Sequence, residues 1–461
     1  MKSWIKKATV FLLVMTISLT PVYGAEQGDT YGNRLETVIQ MILSNHINAK
    51  ELTPEMLFEA AMNGVFDVLD PYSMYIGASN AESFTDTLNN SYVGIGVSLV
   101  QEGEYVVIER VFLDGPAYKS GLKVHDKIIS AQGTSLVGKT PAEAAAIIIG
   151  EENTKVTLRI NRQGFEFDLT LVRGRVTINA IDQVDLSELY PEMPKSVVDQ
   201  VGYLKISSFT RNVDEELEPI LAAYKSQGKK YLLLDLRDNG GGYVDSAVNV
   251  TNLLVPEGPV LRFVNNTGRE IVYYSELKDP SFKIVALVNR NSASATEFVA
   301  AAISESGVGS LVGETTYGKG LAQYLYTLDD GAVVKLTQET FYSRANKPIN
   351  NIGVTPEVLV EYPSYLTKTS KFYPHDRNDE IFEVESILAF LDYEVGPPDD
   401  LYDNKTYEAI KQFQSDQNVY AYGICDYLTQ DLLNKAFMEK KNEKDLQLDK
   451  AIETLMAQMG L

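Results

Sequence analysis

Cysteine, histidine and basic residues are scarce in this chain, and each scarcity excludes a class of protein. The single cysteine, Cys425, rules out an intramolecular disulfide framework and argues against a thiolate metal site. The three histidines, His46, His125 and His375, stand in no local motif. Acidic residues outnumber basic ones by 63 to 41, and the net charge of −22 argues against nucleic acid and anionic membrane surfaces as partners. The sequence contains no recognisable metal-ligand cluster or nucleotide-binding loop, so we expect no metal and no cofactor.

The N-terminus has the pattern of an export signal. Three lysines precede the apolar run Ala8–Leu19, and small residues follow it at positions 24 and 25. Such a segment is typical of a secretory signal and is short for a membrane span. We expect cleavage after Gly24 or Ala25, with an uncleaved anchor as the alternative. The mature protein is then extracytoplasmic and has lost Trp4, its only tryptophan.

Two serines stand between a predicted strand and a predicted helix. Lys283–Val288 is rich in β-branched and apolar residues, and Thr296–Ile303 is rich in alanine. A strand that turns sharply into a helix fixes a side chain and points free backbone N–H groups at it. This geometry suits a serine nucleophile at Ser292 or Ser294. Serine is also a favoured helix cap, and this stretch alone leaves both interpretations open.

A lysine in an unusual setting supports the catalytic interpretation. Lys319 lies between two glycines, which allow another backbone to approach closely. Since no histidine has a motif around it, a lysine is the more natural base for a serine nucleophile. Burial lowers the pKa of a lysine towards neutrality, and Ser-Lys pairs are a known variant of the catalytic triad.

Two motifs together resemble the active site of the carboxyl-terminal processing proteases, the tail-specific serine peptidases. They are Ser-Ala-Ser-Ala-Thr-Glu at residues 292–297 and Gly-Glu-Thr-Thr-Tyr-Gly-Lys-Gly-Leu-Ala-Gln at residues 313–323. The resemblance implies that Ser294 is the nucleophile, Lys319 the base and Gln323 the residue that orients the base. The separation of 319 − 294 = 25 residues matches the family. The family usually has serine where this chain has Thr296.

The resemblance also implies an oxyanion hole. A glycine run at residues 240–242 ends the predicted strand Tyr231–Leu236 and, taken alone, predicts a flexible turn. In the family this backbone contributes half of the oxyanion hole. By position the two donors are Gly241 and Ala295, although the sequence leaves open which glycine contributes.

Residues from about 90 to 173 resemble a PDZ domain in the order of their predicted strands and helix. Thr140 and Glu143 form a capping box at the head of that helix. PDZ domains bind a terminal carboxylate with backbone N–H groups and add the peptide as a strand. The positions carried over are Val93, Gly94, Ile95 and Gly96, and the expected ligands are protein tails with free, apolar C-termini.

The resemblance further implies that the PDZ domain gates the active site. Arg162, in the predicted hairpin that leads back into the core, is the candidate for a polar contact that senses a bound tail. An exposed charge beside a turn is the alternative for this residue.

Helical periodicity predicts helices at both ends of the chain. Ala409–Gln414 resembles the signature of a small peptidoglycan-binding module, but Leu401–Asn404 departs from its usual turn. Binding to the cell wall, a structural role and a dimerising role all remain open for this module. We expect the last helix, from about Glu443 to Met459, to be a partner surface, and the N- and C-terminal helices to offer surfaces for a homodimer.

These features predict a multi-domain α/β protein whose protease core has the ClpP/crotonase-type fold implied by the resemblance. The predicted segments are a signal peptide (1–24), a helical N-terminal region (25–83), a PDZ domain (84–174), a serine protease core (175–368), a peptidoglycan-binding-like helical module (379–437) and a C-terminal helix (438–461). The predicted function is that of a secreted serine endopeptidase acting at or near the C-terminal tails of proteins. The alternative is a non-catalytic adaptor that carries the same modules on an inactive core.

Overall fold

The computed structural model describes residues 31–112 and 115–461 and divides the chain into two compact units, with the division between Tyr75 and Ile76. The expected signal peptide and Trp4 lie outside the described residues. No helix in the described ranges is both long enough and apolar enough to cross a membrane.

The first unit is helical. It contains α1 (Tyr31–Asn45), a 3₁₀ turn (Ala49–Glu51) and α2 (Pro54–Phe66), and strand β1 (Met74–Ile76) begins at its end. Thr53 caps α2 by accepting the Met56 N–H at 3.2 Å, as the sequence predicts. Many apolar side chains of this unit are exposed: Val38, Met41, Met56, Val65 and Val68. Its helices therefore present apolar faces to solvent.

The next region is built mainly from antiparallel strands. Its elements are α3 (Ala78–Leu88), β2 (Ser91–Gly94), β3 (Val97–Glu102), β4 (Tyr105–Val111), α4 (Pro116–Lys119), β5 (Lys127–Ala131), β6 (Thr134–Ser135), α5 (Pro141–Ile148), β7 (Lys155–Arg162), β8 (Phe165–Val172) and β9 (Gly174–Thr177). The main sheet has the order β3–β4–β5–β7–β8, with β6 beside β5, while β2 pairs with β9. The predicted capping box is present, because Thr140 N–H donates to the Glu143 carboxylate at 2.8 Å and Glu143 N–H donates to Thr140 Oγ1 at 3.3 Å.

The largest region is an α/β core. Its elements are β10 (Ile181–Gln183), α6 (Leu186–Leu189), α7 (Lys195–Val198), β11 (Val201–Ile206), α8 (Val213–Ser226), β12 (Tyr231–Asp235), α9 (Val244–Leu254), β13 (Gly258–Asn265), β14 (Glu270–Ser275), β15 (Lys283–Val288), α10 (Ala295–Glu305), β16 (Gly309–Gly313), β17 (Leu321–Thr327), β18 (Val333–Tyr342) and β19 (Val358–Leu359). The central sheet has the order β10–β11–β12–β15–β16–β19 and is parallel from β11 onward. A second, antiparallel sheet contains β17, β18, β13 and β14.

The chain ends in four helices, α11 (Asp379–Phe390), α12 (Asn404–Asp416), α13 (Tyr427–Glu443) and α14 (Leu446–Met459). The first three share an apolar core that includes Ile387, Phe413 and Phe437.

Helices cover both faces of the central sheet, as its almost uniformly apolar parallel strands require. Helices α8, α9 and α10 bury one face, and α14 buries the other by packing Leu448, Ile452 and Leu455 against strand residues such as Leu233 and Leu287. The expectation that the last helix is a partner surface is therefore wrong for its apolar face. That face is covered by the chain's own sheet.

Candidate active site

Three loops follow adjacent parallel strands and come together at one edge of the central sheet. Strand β12 ends at Asp235, β15 at Val288 and β16 at Gly313, and the three strands are neighbours in that order. The carboxyl edge of a parallel sheet is where α/β proteins place their ligand sites. The glycine run, the serine motif and the lysine motif thus all lie at this edge.

Ser294 stands at the sharp turn between β15 and α10. Its backbone has φ 58° and ψ −119°, and it is the last residue before the helix. A non-glycine residue in such a conformation costs roughly 1–3 kcal/mol, and these residues cluster at functional sites. The side chain is half-buried. This turn is the one that the strand and helix patterns predict.

Ser292 occupies a different environment. It is fully buried, its hydroxyl donates to the Leu236 carbonyl at 2.8 Å, and the Asn289 N–H donates to Ser292 Oγ at 3.0 Å. A hydroxyl that ties two loops together in this way is held away from any substrate. The environments of the two serines therefore favour Ser294 as the reactive one.

Gly241 packs directly against the serine turn. A Cβ atom at Gly241 would lie 2.9 Å from Ser294 Cβ and 3.0 Å from the Ala295 nitrogen, and the residue has φ +103°. Only glycine fits both the backbone conformation and this approach. The two segments predicted to form the oxyanion hole are thus neighbours around Ser294.

The N–H of Gly241 already has an acceptor in this structure. It donates to Asn239 Oδ1 at 2.9 Å, and the fully buried Asn239 amide donates in turn to the Ile206 carbonyl at 2.9 Å. Binding an oxyanion with this N–H would require exchange of that hydrogen bond. The oxyanion role of Gly241 stays a prediction, and the choice among the glycines of the run stays open.

The loop that carries Lys319 is packed as tightly as its glycines indicate. A Cβ atom on Gly318 would lie 3.0 Å from the Ile352 nitrogen, and one on Gly320 would lie 2.4 Å from the Asn350 nitrogen. The half-buried Lys319 is therefore presented by a backbone that packs closely against the segment at residues 350–353. Its two flanking glycines are needed for that close approach.

Glu297 joins the serine and lysine segments, and sequence reasoning gave it no role. This carboxylate is fully buried and accepts the N–H of Ser294 at 2.8 Å and that of Lys319 at 2.7 Å. It also accepts the Gly318 N–H and the Thr316 hydroxyl, each at 2.6 Å. Burial raises the pKa of the Glu297 carboxyl, and these four hydrogen bonds oppose the rise. The capping-box spacing from Ser294 was the one sequence signal for it.

Gln323 and Thr296 complete the surroundings of the site. The Gln323 amide donates to Thr337 Oγ1 at 3.1 Å and to the Leu321 carbonyl at 3.3 Å, so its predicted role towards Lys319 stays a prediction. The buried Thr296 hydroxyl donates to the Asn239 carbonyl at 2.9 Å. A threonine supplies this hydroxyl as well as the family's serine would.

The predicted carboxylate-binding loop lies at the start of the PDZ-like sheet. Val93 and Gly94 end β2, Ile95 is buried with 2% exposure, and Gly96 has φ +82° ahead of β3. Glycine suits such a turn because it tolerates positive φ. The loop conformation is compatible with the predicted role, which stays a prediction.

A tyrosine side chain of the same loop lies across it. A Cβ atom on Gly94 would lie 2.6 Å from Tyr92 Cε2, so the ring covers that glycine. Burial raises the pKa of the Tyr92 hydroxyl, while hydrogen bonds from the backbone N–H groups of Val97 and Gly96 oppose the rise. The tyrosine side chain therefore lies over the predicted peptide-binding loop.

Arg162 is engaged inside the PDZ-like region. Its guanidinium binds both oxygens of Asp126 at 2.6 Å and donates to the Gly121 carbonyl at 2.9 Å. Asp126 is 1% exposed, so the pair neutralises a buried charge. A sensing role for Arg162 stays a prediction. Another arginine of this region, Arg110, faces Asp182 of the core at 3.9 Å.

Comparison with known proteins identifies the family. Family models match as Peptidase family S41 over residues 200–360, PDZ domain over residues 83–161 and putative peptidoglycan binding domain over residues 377–433. The carboxy-terminal processing protease CtpA of Bacillus subtilis (strain 168) is 32% identical over 447 residues, which are 94% of this chain and 92% of the relative. The chain belongs to the carboxy-terminal processing proteases. It is therefore a serine-type peptidase.

Other proteins also match most of this chain. The carboxy-terminal processing protease CtpB of Bacillus subtilis (strain 168) is 27% identical over 433 residues, or 92% of this chain and 88% of the relative. Among solved structures, the photosystem II D1 C-terminal processing protease is 26% identical with a TM-score of 0.44, covering 72% of this chain and 94% of that chain. The three family-model matches confirm the predicted combination of a protease core, a PDZ domain and a peptidoglycan-binding-like module.

In the protease's C-terminal module, the departure from the usual turn has a structural role. Asp403 caps α12 by accepting the N–H groups of Lys405 at 2.7 Å and Thr406 at 3.0 Å. Nearby, the exposed Tyr420 stacks on Tyr422 with ring centroids 5.9 Å apart. The module thus combines a capped, well-packed helix with an exposed aromatic surface.

Proposed function

We propose that the protease is an exported endopeptidase that cleaves proteins near their C-terminal tails, with Ser294 as nucleophile and Lys319 as base. Ser294 Oγ attacks the scissile carbonyl while Lys319 Nζ accepts its proton. Backbone N–H groups at Ala295 and in the glycine run stabilise the oxyanion. Lys319 returns the proton to the leaving amine, and water then hydrolyses the acyl-enzyme, with Gln323 orienting the lysine.

One observation carries this proposal most directly. The buried Glu297 carboxylate accepts the backbone N–H groups of both Ser294 and Lys319, so the two residues share one rigid anchor. A catalytic pair needs its members held in a fixed relation, because misplacement by 1 Å can cost about 10²-fold in rate. An adaptor with an inactive core has no use for a strained serine that is fixed in this way.

The experiment that separates protease from adaptor uses labelling and turnover. A peptide boronate should bind covalently at Ser294, and an unfolded protein substrate should be cleaved. Ser294→Ala should abolish both while leaving the thermal unfolding temperature near that of the parent protein. Ser292→Ala is the matched control: it should lower stability by removing buried hydrogen bonds but retain labelling. Labelling that survives in Ser294→Ala would remove this serine from the mechanism.

The PDZ domain is proposed to capture the substrate's free C-terminus and to gate the active site. Its loop at residues 93–96 precedes strand β3, beside which a peptide can add as a further strand. Substrates with free, apolar C-termini fit this mode. A bound tail can shift the protease between inactive and active states only through a difference in its affinity for them.

The proposed location is extracytoplasmic, after removal of the signal segment. The peptidoglycan-binding-like match over residues 377–433 supports a position near the cell wall. Mass spectrometry of new protein termini in the secreted fraction, with and without Ser294→Ala, would identify the substrates. Sedimentation with purified peptidoglycan, compared between the parent protein and a Tyr420→Ala, Tyr422→Ala double variant, would test wall binding.

A homodimer through the N-terminal helices is proposed as well. Val38 and Met41 of α1 are more than half exposed, at 51% and 58%, and α2 contains no buried residue. Such apolar faces are typical of association sites. Analytical ultracentrifugation should show a dimer that dissociates in Val38→Asp, whereas a parent protein that is monomeric at all concentrations would contradict this.

A further inference from the structure

The C-terminal helix α14 begins directly behind the glycine loop of the active site. Asp445, the residue before this helix, binds Arg237 at 2.8 Å, and Gln447 Oε1 accepts a second hydrogen bond from the same guanidinium at 3.3 Å. Arg237 is the second residue after β12 and leads into the glycine run. The contact between Arg237 and Asp445 therefore joins helix α14 to the loop whose glycine run is proposed to stabilise the oxyanion. The two residues are about two hundred positions apart in the chain.

Arg237 is fixed from both sides. Its Nε and Nη2 atoms bind the buried Asp235 carboxylate at 3.0 and 2.7 Å, and its Nη1 atom binds Asp445. The Arg237 side chain is only 14% exposed. Charge-assisted, bidentate ion pairs of this kind are among the stronger polar contacts in proteins. Asp445 thus supplies the outer half of a buried ion-pair chain whose inner half belongs to the core.

The loop that follows Arg237 is held by contacts to the serine segment. Asp238 has φ +60°, and its carboxylate accepts the side-chain amides of Asn289 and Asn291, both at 2.9 Å. The Asn239 carbonyl accepts the Ala293 N–H at 3.0 Å. A displacement of Arg237 would therefore be transmitted to both halves of the proposed oxyanion hole.

A polar cavity at this joint makes the ion pair important for position. The cavity has a volume of about 260 Å³, and its lining includes Arg237, Asp238, Asn289, Asp445 and Gln447. Since side chains do not fill this space, close packing cannot fix the loop there. The position of the loop therefore depends on the hydrogen bonds across the cavity.

We propose that the C-terminal helix is a positioning element of the active site, in which Asp445 holds Arg237 and thereby sets the geometry of the loop carrying the glycine run. Arg237 and Asp445 are positioning residues and touch no substrate. This inference rests on the proposed function for its effect on rate. Helix α14 then contributes to the catalytic rate as well as covering one face of the central sheet.

The deciding variant is Asp445→Ser. Asp445 also caps α14 by accepting the Leu448 N–H at 3.0 Å, and serine caps about as well as aspartate but is too short to reach Arg237. We expect kcat to fall roughly tenfold, less than the ~10²–10³ that loss of an oxyanion donor costs. KM should stay unchanged, and affinity for a peptide boronate should fall in parallel with kcat. Asp445→Glu, which keeps the charge, should recover part of the rate.

Tyr190→Phe is the matched control. Its hydroxyl donates to Asp449 of the same helix at 2.8 Å, so the variant removes another polar bond between α14 and the core, on α6–α7 rather than on the glycine loop. It should leave kcat unchanged. Equal losses of kcat in Asp445→Ser and Tyr190→Phe would overturn the inference, because the helix would then only stabilise the fold. An unchanged kcat in Asp445→Ser would overturn it as well.

A measurement independent of activity separates this inference from the proposed function. Hydrogen exchange followed by mass spectrometry should show faster exchange in the peptide spanning residues 237–243 in Asp445→Ser and not in Tyr190→Phe. An inactive parent protein that shows this difference would contradict the proposed function and support the positioning role. An active parent protein without the difference in exchange or in kcat would do the reverse.

Discussion

Each oxygen of the Glu297 carboxylate accepts two hydrogen bonds, one oxygen from Thr316 and Gly318 and the other from Ser294 and Lys319. In Glu297→Gln, the amide NH₂ must face at least one backbone N–H donor. An unsatisfied buried donor costs about 1–3 kcal/mol, so we expect the free energy of unfolding to fall by that amount. We also expect kcat to fall at least tenfold, because the anchor shared by Ser294 and Lys319 is disturbed.

The matched control for this prediction lies at the other end of the same helix. The Glu305 carboxylate accepts the Ala345 N–H and the Ser343 hydroxyl, away from the dyad. Glu305→Gln should therefore lower stability without lowering kcat of the folded protein. Denaturant unfolding and initial rates measure the two quantities. A kcat in Glu297→Gln equal to that of the parent protein would show that the shared anchor is catalytically unimportant.

Lys319→Arg tests the base. A lysine must be neutral to accept the serine proton, whereas arginine stays protonated throughout the accessible pH range. We expect the variant to fold normally and to lose nearly all activity, and we expect the parent protein's rate to rise with pH as the lysine loses its proton. Circular dichroism and a pH–rate profile measure these effects. A near-normal rate in the variant would exclude Lys319 as the base.

At the scale of single residues, the sequence predicts a feature when the residues that produce it are close together in the chain. Gly318 and Gly320 flank Lys319 in the sequence itself, and their packing against residues 350–353 bears out the inference drawn from them. The role of Glu297 was missed because its partners at Thr316, Gly318 and Lys319 lie 19 to 22 residues away. No local pattern specifies which distant N–H groups a buried carboxylate will bind.

At the scale of elements, the loop between β2 and β3 offers a testable competition between the Tyr92 side chain and a bound peptide. The Tyr92 ring lies over Gly94, and the backbone N–H groups of Gly96 and Val97 oppose the burial-driven rise in the pKa of its hydroxyl. Under the proposed PDZ mode, the hydroxyl and a peptide carboxylate would compete for these N–H groups. Tyr92→Phe removes the hydroxyl and keeps the ring. We expect a peptide with a free, apolar C-terminus to bind roughly three- to tenfold more tightly, the value of about one hydrogen bond. Isothermal titration calorimetry measures the change.

Two further measurements decide how this result is interpreted. The C-terminal amide of the same peptide should bind weakly to both proteins, because it lacks the charge that the loop is expected to recognise. If Tyr92→Phe binds the free acid no better than the parent protein does, displacing the tyrosine hydroxyl has no free-energy cost. The predicted competition would then be absent.

At the scale of elements, pattern alone could not distinguish the two roles open to the last helix. An amphipathic helix has the same periodicity whether its apolar face covers its own sheet or that of a partner. Strands β12 and β15 are apolar and almost entirely buried, so they require cover on both faces of the sheet. Assigning α14 to the second face requires knowing which distant segment of the chain packs there. No local sequence pattern specifies that.

For the whole molecule, export is predicted to remove the only tryptophan. Trp4 lies in the expected signal segment, so the mature protein should show tyrosine emission alone. Fluorescence of protein purified from the extracytoplasmic fraction, excited at a wavelength selective for tryptophan, measures this. Tryptophan emission from that fraction would instead indicate that the segment is retained as an anchor, and N-terminal sequencing would locate the cleavage point.

Control by the PDZ domain is the remaining property of the whole molecule. Arg162→Ala is an ambiguous test of this control, because the variant would leave the buried Asp126 without its partner. The PDZ fold would then lose roughly 3–5 kcal/mol of stability, so a lost response could come from unfolding of the domain. Asp182 offers a cleaner test, because it faces Arg110 from the core side and both side chains are about half exposed. Asp182→Asn leaves the PDZ domain itself intact.

The measurement is cleavage of a substrate that lacks a suitable tail, with and without a short peptide ending in apolar residues. If the PDZ domain gates the site, the free acid should accelerate cleavage and its amide should not, because only a ligand with different affinities for the two states shifts their populations. Asp182→Asn should alter the size of this acceleration while peptide affinity stays constant. Acceleration that is identical in the variant would exclude the Arg110–Asp182 contact as the route. A peptide that only inhibits would mean that the PDZ domain tethers substrates without gating the site.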